Sequence, residues 1–264
     1  MAHGRVHVAW PRTPAGGQPW PLQWSAAALA EAVAAVRPRV VWLCNPNNPT
    51  GQYLRRQELE PVVAASQALW VVDESYLPFL FPADDWTDLA RGGQAVLVRS
   101  LTKLFRVPGL RLGYVVAHPE AVRALRAAQP SWSVHQGAQV LGAALVSWAG
   151  QHPDVLPRCA RRLGRARDSL ARGLQAMGLR VLPSQAPFLL VEVGDGAGCT
   201  RALLRRGVAV RDASSFGLPG WIRVTVRRPA LNRILVEALR AWQQESGHDG
   251  VQAALQPAGR REKA

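Results

Sequence analysis

Lys103 is the residue whose type points most directly to chemistry. The chain has 264 residues with 32 basic and 18 acidic side chains, a formal charge of +14, yet only Lys103 and Lys263 are lysines, and Lys263 lies in a polar tail. An arginine keeps its proton at any usable pH, whereas a lysine amine can lose it and attack a carbonyl carbon. A single lysine in the folded body therefore suggests a nucleophile or a Schiff base, with a chance surface lysine as the alternative.

Polar clusters follow three of the predicted strands. They occupy residues 45–51, 73–76 and 100–103. Ligands of open parallel sheets bind beyond the carboxyl ends of the strands. The three segments are therefore expected to contribute to one site.

Asp73 and Arg111 add charges that suit a phosphorylated pyridine. Asp73 follows four apolar residues, so its carboxylate favours a cationic partner in a low-dielectric setting. Pyridoxal phosphate chemistry combines such an acid at the ring nitrogen with a lysine Schiff base; a cap of the following turn is the alternative role for Asp73. Arg111 can bind a phosphate through two parallel hydrogen bonds, or it is an ordinary surface arginine.

The composition excludes several classes of protein. Hydrophobic residues are 48% and charged residues 19%, which is typical of a folded globular chain. The three cysteines are far apart and form no CxxC pair, so we expect neither a disulfide framework nor a metal site, and a reducing cytoplasm fits. No stretch approaches the roughly 18 apolar residues of a spanning helix, and the first residues have no apolar segment of signal-peptide length.

The positive charge allows two interpretations, a nucleic-acid binder or an arginine-rich background. Residues 158–172 are rich in arginine, and Leu156, Leu163, Leu170 and Met177 recur every seven residues through that region. This pattern predicts an amphipathic helix with a basic outer face. No aromatic residues interleave with the arginines, and no nucleic-acid-binding motif is present. The background interpretation is therefore preferred, without a specific nucleic-acid partner.

The alternation of elements predicts how these groups are positioned. In the first two thirds, strands are predicted at 5–9, 39–44, 69–73, 95–99 and 111–117, with helices at 26–36, capped by Ser25, and 55–67. A helical region follows from 119 to 178. Beyond it, strands are predicted at 180–182, 188–193, 208–211 and 221–226, with helices at 200–206 and 229–245. This order favours an α/β fold with a mostly parallel sheet. The predicted domains are a large one at 1–155, a smaller α+β one at 156–246 and a tail at 247–264.

Four motifs together resemble the class I/II aminotransferase family of pyridoxal-phosphate enzymes. They are Asn45-Pro-Asn-Asn-Pro-Thr-Gly51, Asp73-Glu-Ser-Tyr76, Ser100-Leu-Thr-Lys103 and Pro108-Gly-Leu-Arg111-Leu-Gly113. Their order and spacing are those of the family, and they are most similar to the histidinol-phosphate aminotransferase branch. The resemblance extends to about Arg240. It implies pyridoxal 5'-phosphate as cofactor and a large domain of the pyridoxal-phosphate transferase type.

The resemblance also assigns roles around the cofactor ring. Lys103 forms the Schiff base and later moves the proton of the substrate α-carbon. Asp73 pairs with the pyridinium nitrogen, and Asn48 and Tyr76 donate hydrogen bonds to the phenolic oxygen. Each role suits its side chain.

Three further residues are assigned to anionic groups by the same resemblance. Ser100 and Arg111 bind the cofactor phosphate, and Arg223 holds the substrate α-carboxylate. A hydroxyl and two guanidinium groups are suitable donors for these oxyanions.

The resemblance leaves the reaction open between close alternatives. Residues 129–136 and 210–217 are similar to the threonine-phosphate decarboxylases of cobalamin synthesis, although those relatives usually carry Asn where this chain has His135. Transamination of an amino acid or amino phosphate in amino acid biosynthesis is preferred to decarboxylation. Family members begin with a segment and a glycine-rich phosphate turn that would precede Met1, so we expect the amino-terminal part to be missing. A truncated, non-catalytic member is the further alternative. The family implies a homodimer, and the cysteine usage fits the cytoplasm.

Overall fold

The computed structural model describes residues 25–246, which divide into two compact units. The first unit contains residues 25–48 and 52–161, and the second contains residues 49–51 and 162–246. The sequence-based boundary at residue 155 stays a prediction.

The first unit is built on a four-stranded sheet. Its strands are β1 (Val40–Cys44), β2 (Leu69–Asp73), β3 (Ala95–Ser100) and β4 (Gly113–Val116), in the spatial order β1-β2-β3-β4. The pairs β1–β2 and β2–β3 are parallel, whereas β4 runs antiparallel to β3. The predicted α/β architecture with a mostly parallel sheet is therefore confirmed.

Helices connect the strands of the first unit. They are α1 (Ala26–Val36), α2 (Arg56–Ala65), α3 (Thr87–Arg91), α4 (Leu101–Leu104), α5 (Pro119–Ala128) and α6 (Gln136–Gln151). The predicted cap of α1 is present, because Ser25 Oγ accepts a hydrogen bond from Ala28 N at 3.1 Å. Helix α7 (Val155–Gln175) runs across the division between the units.

The central strands β2 and β3 form the core of the first unit. Trp70 and Val72 on β2 and Leu97 on β3 are almost fully buried, and they pack with Leu29 of α1 and Leu59 of α2. Parallel strands covered on both faces need such continuous apolar runs. The core therefore gives a rigid support to the carboxyl ends of β2 and β3.

The second unit has its own sheet and its own core. The sheet contains β5 (Phe188–Glu192), β6 (Arg211–Asp212) and β7 (Trp221–Thr225), all antiparallel, in the order β5-β7-β6. Helices α8 (Gly196–Arg205) and α9 (Pro229–Ser246) cover it. The core side chains include Leu174, Leu189, Leu203, Ile222 and Leu239.

Several predicted elements differ from the structure. The helical region after residue 119 is three helices, residues 180–182 contribute only an isolated bridge between Val181 and Val191, and the predicted strand 208–211 is shortened to β6. Strand β4 begins at Gly113 rather than at Arg111, because Leu112 O accepts hydrogen bonds from Leu101 N and Thr102 N and so belongs to a turn. The predicted strand at 5–9 and the predicted tail lie outside the described residues.

Candidate active site

The carboxyl ends of β1, β2 and β3 lie side by side. Cys44, the last residue of β1, pairs in register with Asp73, the last residue of β2, and Asp73 in turn pairs with Val98 on β3. The polar clusters that follow these strands therefore begin at one edge of the sheet, as their positions in the sequence predicted.

The first cluster is shaped by Asn45, a residue that the sequence analysis did not single out. The Asn45 side chain is 3% exposed. Its Nδ2 donates to Leu54 O at 2.8 Å, and its Oδ1 accepts from Leu54 N at 2.9 Å. A second contact, from Asn47 N to Gln52 O at 2.7 Å, closes the turn further. An asparagine directly after a buried strand favours a turn, and this was the signal available in the sequence.

Asp73 makes the turn contact that was the alternative to its cofactor role. Its Oδ1 accepts a hydrogen bond from Ser75 N at 2.9 Å. This turn carries the chain to Tyr76, which directly precedes a short 3-10 helix, Leu77–Phe79. A cap on one oxygen fixes the carboxylate and is compatible with a second partner on the other oxygen.

Lys103 and Tyr76 meet although 27 positions separate them in the sequence. The Lys103 ammonium nitrogen lies 5.3 Å from the centroid of the Tyr76 ring. This is the geometry of a cation–π contact. The lysine amine therefore lies against the phenol that the motif comparison assigns to the same cofactor.

The Cys44 thiol marks where the three clusters converge. Burial raises the pKa of Cys44 to about 11, and the carboxylate of Asp73 acts in the same direction. The Asn48 backbone N–H and the Lys103 charge act on the same thiol and favour its ionised form. Asn48, Asp73 and Lys103 are thus neighbours around Cys44. With this pKa the thiol stays protonated at neutral pH, so Cys44 is a small packing residue rather than a nucleophile.

Ser100 and Lys103 lie on the turn that leaves β3. Ser100 ends the strand and precedes α4, the single helical turn that carries Lys103. The Thr102 hydroxyl donates to Leu112 O at 3.0 Å and accepts from Leu112 N at 3.0 Å. This double contact, which we call the Thr102 clamp, joins the two ends of the loop 103–111. Thr102 was not among the predicted site residues, although a hydroxyl beside the candidate nucleophile Lys103 was an available signal.

Arg111 is placed at the end of the same loop, but its guanidinium is turned back on its own turn. Its φ of 49° lies in the left-handed region, and Nη1 donates to Pro108 O at 3.3 Å. Gly113 follows, and a Cβ at that position would lie only 2.7 Å from Arg99 O. The backbone of this turn is therefore tightly packed against β3, and a phosphate contact of Arg111 stays a prediction.

Arg223 lies in the second unit, on the central strand β7. Its guanidinium carbon is 4.9 Å from the centroid of the Phe188 ring. It pairs in register with Arg211 on β6, whose Nη2 donates to Ser215 Oγ at 3.0 Å. A substrate contact of Arg223 stays a prediction.

The donor set around Cys44 fits pyridoxal phosphate in its chemistry. A carboxylate suits a protonated ring nitrogen, an amine suits a carbonyl carbon, and a phenol suits a ring oxygen. Asp73, Lys103 and Tyr76 supply these three groups: Asp73 pairs in register with Cys44, the Lys103 charge acts on the Cys44 thiol, and the Lys103 amine contacts the Tyr76 ring. Among residues 25–246 no group of three or more metal-ligating side chains is present, and no helix there is long and apolar enough to cross a membrane.

Comparison with known proteins identifies the family. The family model described as aminotransferase class I and II matches residues 21–239. The chain therefore belongs to the class I and II aminotransferases, and the prediction from the motifs is confirmed together with the pyridoxal-phosphate cofactor that the family implies.

Individual relatives are similar over most of this chain. A histidinol-phosphate aminotransferase of Symbiobacterium thermophilum is 38% identical over 218 residues, which is 81% of this chain and 59% of that protein. The L-threonine-O-3-phosphate decarboxylase structure from Porphyromonas gingivalis has a TM-score of 0.70 at 30% identity, covering 78% of this chain and 64% of that one. A histidinol-phosphate aminotransferase from Sinorhizobium meliloti, solved in complex with pyridoxal-5'-phosphate, shares the fold at 23% identity and a TM-score of 0.69, covering 84% of this chain and 63% of that one.

The chain spans about three fifths of the length of the curated relatives that it matches. The activity and the substrate of those relatives are therefore hypotheses for this chain.

Proposed function

We propose that this chain acts in pyridoxal-phosphate-dependent amino transfer at the α-carbon of an amino acid or an amino phosphate. The observation that carries the proposal is the convergence of Asp73 and Lys103 at Cys44, with the Lys103 amine against the Tyr76 ring. When bound, pyridoxal phosphate supplies a carbonyl carbon and a ring that withdraws electrons from the substrate.

The residues at the sheet edge have separate tasks in this proposal. Lys103 Nζ would hold the cofactor at its carbonyl carbon, and as a free amine it would take and return the proton of the substrate α-carbon. Asp73 would hold the protonated ring nitrogen, while Asn48 and Tyr76 would donate to the ring oxygen. Buried apolar neighbours on β2 and β3 keep water from the base of the site.

Phosphate and carboxylate groups are assigned to the remaining residues. Ser100 and Arg111, at the two ends of the loop held by the Thr102 clamp, would bind the cofactor phosphate. Arg223 would bind an acidic group of the substrate. A guanidinium on the central strand of the second sheet is a suitable donor for a carboxylate or a phosphate.

Decarboxylation of an amino phosphate is the second candidate function. It is supported by the 30% identity to the L-threonine-O-3-phosphate decarboxylase of Porphyromonas gingivalis. Both candidate reactions would use the same lysine, and both can act on a phosphorylated amino compound. They are separated by measuring keto-acid-dependent amino transfer from histidinol phosphate and carbon dioxide release from threonine phosphate.

The two lysines of the chain give the main test a built-in control. The protein is mixed with pyridoxal phosphate, reduced with borohydride and mapped by mass spectrometry. We expect a visible absorbance band and a label on Lys103, lost in Lys103→Ala and kept in Lys263→Ala. Equal labelling of Lys103→Ala would overturn the proposed role of Lys103. Absence of any band from the unmodified protein would favour the non-catalytic alternative.

We also propose that the protein works as a cytoplasmic homodimer. Exposed apolar side chains on α6, including Val140, Val146 and Trp148, support self-association. Sedimentation velocity measures the state directly, and a monomer at all accessible concentrations would contradict the proposal.

A further inference from the structure

A buried ion pair lies next to the candidate site but outside the set of residues assigned to it. Arg99 Nε donates to Glu74 Oε2 at 2.6 Å. The Glu74 side chain is 1% exposed and that of Arg99 is 24% exposed. Glu74 follows Asp73 directly, and Arg99 directly precedes Ser100. Each member of the pair is thus one residue away from a residue assigned to the cofactor.

The pair joins the ends of two parallel strands on one face of the sheet. Glu74 N donates to Val98 O at 2.9 Å, so the backbones of β2 and β3 are paired up to this point. Successive side chains of a strand point to opposite faces. The Glu74–Arg99 pair therefore lies on the face opposite to Asp73 and Ser100, directly behind both residues.

Arg99 extends the connection beyond β2 and β3. It pairs in register with Tyr114 on β4 and interacts with the Tyr114 side chain. Its Nη2 lies 4.0 Å from Asp85 Oδ1, in the segment that leads to α3. One guanidinium thus contacts the end of β2, the neighbouring strand β4 and a connecting loop.

Glu74 depends on this guanidinium. Among the described residues, its second oxygen, Oε1, is buried and accepts no hydrogen bond. Burial raises the pKa of Glu74 from its ordinary value, and Arg99 opposes that shift. A carboxylate with a single partner holds that partner in one place, because any displacement leaves a buried charge uncompensated.

We propose that Glu74 and Arg99 are positioning residues that set the separation between Asp73 and Ser100. The inference rests on the proposed function, in which these two residues hold the ring nitrogen and the phosphate of one cofactor. A planar ring and a short methylene-ester arm join these two groups, so the distance between them varies only within narrow limits. A small shift of β3 along β2 would place one of the two groups out of reach.

The test separates positioning from folding by removing both charges together. Replacing both partners of a buried pair with apolar residues often preserves stability, so the double variant Glu74→Met/Arg99→Met is expected to fold. Arg91→Met, which removes an exposed arginine of α3, is the matched control. Each full-length variant is first checked by thermal unfolding and then titrated with pyridoxal phosphate. The readouts are the dissociation constant and the wavelength of the bound band.

We expect the double variant to bind pyridoxal phosphate roughly tenfold or more weakly, by analogy with the loss of a residue that orients a metal-binding side chain. The wavelength of the absorbance band should also shift, because Asp73 would no longer be aligned with the ring nitrogen. Arg91→Met should match the unmodified protein in both readouts. Unchanged affinity in a folded double variant would overturn the positioning role.

A second variant covers the case in which the double variant does not fold. Arg99→Lys keeps the charge but loses the directed Nε contact and the reach to Tyr114. We expect it to fold and to bind the cofactor severalfold more weakly, and unchanged affinity in this variant also overturns the inference. If the unmodified protein forms no absorbance band with pyridoxal phosphate, the proposed function itself fails. That result differs from a failure of the positioning role alone, in which the unmodified protein and the variants bind equally well.

Discussion

At the scale of single residues, the site is defined by contacts between groups that are distant in the sequence. Lys103 lies against Tyr76, and Arg99 pairs with Glu74. Lys103 could be singled out as a candidate nucleophile from the sequence, because the other basic residues of the folded body are arginines. The ion pair was not predictable, because its members lie 25 positions apart and no sequence pattern indicates their contact.

The two members of the ion pair should contribute unequally to stability. Arg99→Met leaves the fully buried Glu74 carboxyl without its cation, which we expect to lower the free energy of unfolding by about 3 kcal/mol. Glu74→Gln leaves Arg99 with partial access to water and to Asp85, and we expect a change below about 1 kcal/mol. Urea denaturation at neutral pH measures both. Equal losses would contradict the asymmetry.

Glu74 should also leave a signature in the pH dependence of stability. Its pKa is raised in the folded state by burial, with Asp85 and Asp73 acting in the same direction and Arg99 against it. A raised carboxyl pKa favours folding at low pH, and this contribution is lost as the pH rises from the ordinary value of 4.5 through the folded value. The unfolding free energy of the unmodified protein minus that of Glu74→Gln should therefore fall across this interval. A difference that is flat or rises with pH would argue against a raised pKa.

The cysteines should differ strongly in reactivity. Burial raises the pKa of Cys44 to about 11 and that of Cys199 to about 12, whereas Cys159 is exposed. At pH 8 only about one thousandth of a thiol with a pKa of 11 is ionised. Iodoacetamide should therefore alkylate Cys159 first in the folded protein, and all three cysteines in urea. Peptide mapping over time measures the rates, and labelling of Cys44 as fast as Cys159 would exclude the buried environment described for it.

At the scale of elements, apolar runs located the central strands well, and β2 matches its predicted limits. The direction of a strand and the positions at which a helical region is interrupted were harder to predict. The composition of β4 does not reveal that it runs antiparallel, since direction is fixed by the turn that the Thr102 clamp closes. The helical region after residue 119 breaks into α5, α6 and α7 at short turns that periodicity alone does not locate.

The effect of the Thr102 clamp should be measurable as slow hydrogen exchange of the Leu112 backbone amide. Thr102→Val keeps the shape of the side chain but removes the hydroxyl that contacts Leu112 N and O. Loss of about 1 kcal/mol per hydrogen bond corresponds to roughly fivefold faster exchange of the Leu112 amide. Hydrogen exchange detected by NMR measures this rate. Thr102→Ser retains the hydroxyl and should exchange like the unmodified protein, and fast exchange in both variants would show that the hydroxyl is not the cause.

At the scale of the whole molecule, the chain combines two compact units with a large positive charge. The charge of +14 comes mainly from arginines, several of them exposed on α7 between Arg158 and Arg172. Within residues 25–246 some acidic residues pair with arginines nearby in the sequence, as Asp154 and Glu120 do, and others join distant segments, as Glu74 does with Arg99. The excess of positive charge on α7 is therefore exposed to solvent.

This background should give weak and unspecific binding to polyanions. We expect retention on DNA at low salt that is independent of sequence and is largely lost by roughly 200 mM salt, because release of counterions drives such binding. Band-shift assays with two unrelated duplexes at several salt concentrations measure it. A preference for one DNA sequence that persists at high salt would contradict this expectation and favour a specific nucleic-acid binder.

The Thr102 clamp also bears on how relatives of this protein can differ in length. It ties residue 102 to residue 112, so the loop between them begins and ends at fixed points. An inserted or deleted residue within that loop changes its contour without altering the spacing of β3 and β4, and the entropy of closing a loop varies only slowly with its length. The middle of this loop can therefore vary in length through insertions and deletions, while Lys103 and Arg111, which lie beside its two fixed ends, keep their places.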